Sequence, residues 1–151
     1  LRPGPATIQI ADAATYYVAA ATFDPAEVEA RGRQAGEDLG ADPVATLEAW
    51  AADARRAVAE MRDDDHFTTV VGVMAPAEYL RTRTFELVVH CGDLSRATGQ
   101  RGDMPPEGLR AALELATDLA VRTGRADAAL AQLTGRPVAG GSLLEPAEGS
   151  A

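Results

Sequence analysis

A chain of 151 residues with an ordinary apolar fraction suits one domain with a real core. Its formal charge of −9, with every basic side chain an arginine, argues against a nucleic-acid surface, which needs concentrated positive charge. No apolar run is long enough to span a bilayer and no signal-peptide pattern opens the chain, so the expected compartment is the cytoplasm, with no membrane partner.

Leu1-Arg2-Pro3-Gly4-Pro5 reads as a linker. From about Ala11 to Thr22 helix propensity is high, with Ala14, Tyr17, Val18 and Ala21 on one face. Asp24-Pro25-Ala26-Glu27 is a capping box with proline at the first helical position, and Gly40 is a natural stop. Asp42-Pro43 repeats the start signal. Val44, Leu47, Trp50, Ala51, Ala54, Val58 and Met61 then keep a helical period as far as the acidic run Asp63-Asp64-Asp65.

The pattern changes between His66 and Met74, where Phe67, Val70, Val71 and Val73 suit a short extended segment without an obvious partner. Ala75-Pro76 opens a long helix that ends at Gly99. Pro105-Pro106 opens the next, with Leu109, Ala112, Leu113, Ala116, Leu119 and Ala120 as its apolar stripe and Gly124 closing it. A short helix from Ala126 to Leu133 follows. The sequence thus reads as one all-α helical bundle over 1–135, with an irregular tail over 136–151 rich in Gly, Pro and Ser.

Glu86 and His90 stand four residues apart in the long helix, which places a carboxylate and an imidazole on one face. Tyr79, Arg83, Glu86, His90 and Asp93 fall within an arc of roughly 80°. Leu80, Thr84, Leu87, Cys91 and Leu94 make the neighbouring arc, expected as the packing seam. Apolar residues surround the pair, so the helix is expected to be buried, and a buried carboxylate needs a metal, a cation or a proton. Imidazole and carboxylate suit zinc or a similar divalent ion, with Arg83 or Asp93 orienting the ligands. The plainer alternative is a polar network in which Arg83 pairs with Glu86 and Asp93 holds His90. Arg81 and Arg83 could also clamp a carboxylate substrate, or pair with Glu78 and Glu86. Cys91 is expected to be small buried filling, His66 a solvated loop residue, and Trp50 either core or substrate wall.

Leu80-Arg81-Thr82-Arg83-Thr84-Phe85-Glu86-Leu87-Val88-Val89-His90, followed by Gly92-Asp93-Leu94 and Ala97-Thr98-Gly99, resembles the signature of the mycothiol-dependent maleylpyruvate isomerase family. Gly72-Val73-Met74 and Ala131-Gln132-Leu133-Thr134-Gly135-Arg136-Pro137 are similar to its flanking segments, so the resemblance covers the chain from about Val44 onward. It implies a DinB-like four-helix bundle that binds a divalent metal, usually zinc, through a His-Glu-His set. Glu86 and His90 match the second and third ligands. The first belongs to a histidine on the family's opening helix, which has no counterpart here. Either the opening helix is missing or the site has lost a ligand; the expectation is the first, an N-terminally truncated bundle whose uncovered groove pairs with a second copy as a homodimer. By the same resemblance, the metal activates the low-molecular-weight thiol mycothiol against a small electrophile, in an isomerisation or a thiol transfer. The alternative is a non-catalytic binding or regulatory module of the same fold.

Overall fold

The computed structural model describes residues 7–62 and 64–137. The elements run α1 (Ala13–Ala20), α2 (Pro25–Glu37), α3 (Pro43–Ala59), β1 (Phe67–Thr69), β2 (Gly72–Met74), α4 (Pro76–Thr98), α5 (Pro106–Arg122) and α6 (Ala126–Leu133). The architecture is a helical domain with one small hairpin. The chain divides into two compact units, residues 22–65 in one and the stretches on either side of it in the other.

Local signals set the helix ends. Asp12, Asp24 and Asp42 each cap a helix, their side chains accepting from the backbone N–H of Thr15, Ala26 and Ala45. Pro25, Pro43, Pro76 and Pro106 sit at first helical positions, where a missing N–H costs nothing. Gly99 ends α4 at φ +68°, a left-handed conformation that glycine adopts without strain. Asp64 and Asp65 lie beyond the end of α3, and Asp65 accepts from the Arg62 N–H, so these two acids do not oppose the helix dipole from within it.

The extended segment makes its own partner. Phe67 pairs with Met74 and Thr69 with Gly72, so the chain folds back through Val70-Val71. The residues before α1 then lie along the returning strand: Gln9 and Ile10 N–H both donate to Val73 O, and Gln9 Oε1 accepts from Val73 N–H. Gly72 is required here. Its φ is +137°, and a Cβ would sit 2.9 Å from Gln9 Oε1.

In the larger unit, α1, α4 and α5 pack on one another and α6 packs on α5. Ala13, Ala14 and Tyr17 of α1 meet Leu115 and Leu119 of α5 in a buried cluster, with Tyr16 and Phe85 against it. Two ion pairs tie α5 to its neighbours: Arg122 to Asp12 at 2.6 Å, and Asp118 to Arg81 at 3.2 Å.

Several expectations about burial are corrected. Val18 and Ala21 are exposed, because α1 packs through Ala13, Ala14 and Tyr17 instead. On α5, Leu115 is fully buried while Leu113 is 56% exposed; the contact face follows 112, 115 and 119. On α4 the buried side chains are Pro76 and Thr82, and Leu87, Cys91 and Leu94 face outward. Thr82 and Phe85 form the seam, since a β-branched threonine and one aromatic fit closely against alanine-rich α1. The α3 stripe of Val44, Leu47, Trp50 and Val58 is exposed, and neither α2 nor α3 has a buried residue. Trp50 is thus not core. Among the described residues no helix is long and apolar enough to cross a membrane. Of the expected tail, residues 138–151 lie outside the described residues, as does Asp63.

Candidate functional site on the fourth helix

The polar stripe of α4 lies between the packing seam and the outward apolar arc, so its residues are partly solvated. The Glu86 side chain is 36% exposed and that of His90 is 66% exposed. The expectation of a deeply buried carboxylate is therefore wrong, because α1 and α5 cover the Thr82–Phe85 side of the helix and leave the stripe at its edge.

These side chains form a series. The Tyr17 hydroxyl, from α1, donates to Glu86 Oε1 at 2.6 Å and also lies 3.1 Å from Thr82 O. A phenol has one proton, and the shorter contact to a carboxylate is the stronger of the two. Glu86 Oε2 is 3.1 Å from His90 Nε2. His90 Nδ1 is 3.1 Å from Asp93 Oδ2, and Asp93 Oδ1 accepts from Arg96 at 2.5 Å. The imidazole thus bridges two carboxylates, both of which can act as hydrogen-bond acceptors when both ring nitrogens carry protons.

The electrostatics follow from these contacts. Burial, reinforced by the bond to Glu86, pushes the Tyr17 phenol well above the usual tyrosine range, so it stays a neutral donor. The hydrogen bond from His90, helped by Arg96, holds the Asp93 carboxyl below the usual carboxylate range. Asp93 therefore remains an acceptor that fixes the ring from its Nδ1 side.

Arg83 does not pair with Glu86. Its Nε–H donates to Thr82 Oγ1 at 3.1 Å, while Thr82 Oγ1 donates to Tyr79 O at 2.7 Å. The guanidinium carbon lies 5.3 Å from the Tyr79 ring centre and 5.9 Å from that of Tyr16. Tyr79 in turn stacks on Phe67 of β1 at 4.7 Å, and Tyr17 meets Tyr16 and Phe85 edge-on at 5.3 and 5.2 Å. The chain has three tyrosines and three phenylalanines, and all but Phe23 of these six gather here. Arg81 takes the paired role, with Glu78 and Asp118 both at 3.2 Å.

As a metal site the arrangement is incomplete. Glu86 Oε2 and His90 Nε2 are adjacent donors, and a carboxylate on the far ring nitrogen is the usual way a ligating histidine is oriented. Asp93, however, sits on the opposite side of the ring and does not converge with them. Among the described residues no group of three His, Cys, Asp or Glu side chains is arranged to hold a metal. His66, before β1, does not join the pair, and Cys91 is exposed rather than buried. The described residues supply two adjacent candidate donors and not a closed set.

The family model described as the mycothiol maleylpyruvate isomerase N-terminal domain matches residues 5–95, more than half of the chain. The chain belongs to the mycothiol maleylpyruvate isomerase N-terminal domain family. This is a DinB-like helical domain, in keeping with the fold, and its name associates it with mycothiol. The match begins well before Val44, so α1, with Tyr16 and Tyr17, is part of the family domain as much as α4 is. It ends at 95, which leaves Ala131–Pro137 outside it. No curated protein and no solved structure matches the chain.

Tyr17 is the site residue that sequence reasoning missed. Its helical phase assigned it to packing, which it also does. The signal available was a tyrosine on an otherwise alanine-rich face, since a buried phenol needs a hydrogen-bond partner.

Proposed function

We propose that this domain handles a low-molecular-weight thiol of the mycothiol type and directs it at a small electrophile, with Glu86 and His90 as the working pair. One observation carries the reading: the two side chains lie 3.1 Å apart at a partly solvated edge, and each is braced from its other side. Tyr17 holds Glu86 by Oε1, which leaves Oε2 facing the ring. Asp93 holds His90 by Nδ1, which leaves Nε2 as the working nitrogen.

In this reading Glu86 and His90 are two ligands of a divalent ion, zinc by family resemblance. Such an ion, when bound, lowers the pKa of a coordinated thiol. The described residues do not close its ligand set, so no step is assigned to it. The side chains themselves hold and orient: Tyr17 would keep Glu86 Oε2, and Asp93 would keep His90 Nε2, aimed at one point, while the thiol's proton passes to solvent and the thiolate adds to the electrophile. Reversal of the addition after bond rotation gives isomerisation; retention of the new carbon–sulfur bond gives thiol transfer. A free thiol cofactor needs a reducing compartment, and the reading places the protein in the cytoplasm.

The test is a thiol-dependent assay on the purified chain with zinc supplied, offering maleylpyruvate and a panel of electrophiles. Turnover that requires the thiol and falls at least 100-fold in Glu86→Ala and His90→Ala supports the reading. Thiol-dependent turnover that both variants leave unchanged defeats it.

A further inference from the structure

We infer that Arg83 is an anion anchor beside the Glu86–His90 pair, a subsite for a planar carboxylate on the small molecule the domain binds. The inference rests on the proposed function only for what the anchored molecule is presented to. Three observations point to it.

The first is charge. Acidic side chains outnumber basic ones, 23 to 14, yet among the described residues Arg83 forms no ion pair. Arg81, two residues away, is paired on both sides. The acid nearest to Arg83 along the helix stripe, Glu86, has its two oxygens turned to Tyr17 and His90. A partly buried guanidinium without a counter-charge has lost some of its water and gained no anion in return.

The second is construction. The Arg83 head is flanked by the rings of Tyr16 and Tyr79, and Tyr79 is itself backed by Phe67. Thr82 Oγ1 takes the Nε–H. These contacts hold the head beside both rings and use one of its five N–H donors, and the two terminal nitrogens keep the donors that match a carboxylate in a two-pronged contact. Ring faces attract the cation and cannot neutralise it.

The third is position. Arg83 and Glu86 are three residues apart, one turn of α4, so a carboxylate held by Arg83 lies within the length of a small organic acid of the pair.

The experiment follows the arginine side-chain N–H signals of the full chain by NMR, without thiol or metal, during titration with maleate and, separately, its uncharged diamide. Saturable movement of the Arg83 Nε–H signal by maleate and not by the diamide, with affinity reduced at least tenfold in Arg83→Gln, is the expected result. Arg83→Lys keeps a cation between the rings but loses the fork, and should bind more weakly than the native chain and more tightly than Arg83→Gln. The inference is overturned if maleate leaves the Arg83 signal in place, if it moves the Arg81 and Arg122 signals equally, or if a folded Arg83→Gln or Arg83→Lys chain binds as well as the native one. Because this readout uses neither thiol nor metal, it can succeed where the thiol assay fails, and the reverse.

Discussion

The Tyr17 hydroxyl donates to Glu86 Oε1 at 2.6 Å, joining α1 to α4 across 69 positions of sequence. One bond links the buried cluster to the polar stripe of α4, because Tyr17 packs with Leu115 and Leu119 while its oxygen reaches the stripe.

Tyr17→Phe keeps the ring and removes the donor. It should destabilise the fold by about 1.5–3 kcal/mol in urea unfolding, the range for a hydrogen bond to a charged group. The native phenol is held neutral by burial and by Glu86. A raised folded-state pKa gives a stability contribution that is complete below the unfolded value of about 10 and is lost as pH rises through the folded one. Alkaline unfolding should therefore be sharper in the native chain than in Tyr17→Phe.

Leu115 and Leu113 test the corrected face of α5. Leu115→Ala should cost about 2–5 kcal/mol, as for a leucine removed from a packed core. Leu113→Ala, on an exposed side chain, should stay within about 0.5 kcal/mol. Equal losses would restore the stripe expected from sequence.

Asp12 caps α1 and pairs with Arg122. Burial pulls its carboxyl upward, but the bonds from the Thr15 N–H and hydroxyl, together with Arg122, outweigh it, and the net shift is below the usual carboxylate range. A lowered folded-state pKa gives stability that is present above the unfolded value and is lost as pH falls through the folded one. Asp12→Ala should cost about 1–2 kcal/mol near neutral pH, with Asp12→Asn costing less because it keeps a capping acceptor. The gap between Asp12→Asn and the native chain should close as acid titrates the carboxylate.

Asp93 braces the ring without being buried, so its effect should appear in function more than in stability. Asp93→Ala should weaken zinc binding about 10–100-fold, the usual cost of removing a carboxylate behind a ligating histidine. Its unfolding midpoint should barely move. A large stability loss with unchanged zinc affinity would make Asp93 a structural partner of Arg96 alone.

Helix boundaries were legible because capping is local. Asp42-Pro43, Ala75-Pro76 and Gly99 carry their signals within a few residues. Which face is covered was less legible. Leu87 and Leu94 look like core by composition, yet burial follows Thr82 and Phe85, because a helix's neighbours decide its inner side and one-helix periodicity does not name them. The same reason hid Tyr17: its bond to Glu86 is a property of two helices. The Glu86–His90–Asp93 series was legible, since all three residues share one helix. Arg83 was legible as a cation, but its ring flanks were not, because Tyr16 comes from α1.

The central claim is that Glu86 and His90 act together on one divalent ion. Zinc affinity measured by competition with a chromophoric chelator, for the native chain and for Glu86→Ala and His90→Ala, tests it most directly. The claim predicts one zinc per native chain, and binding at least tenfold weaker in each single variant. A native chain that binds no zinc, or one whose affinity survives both substitutions, would contradict it.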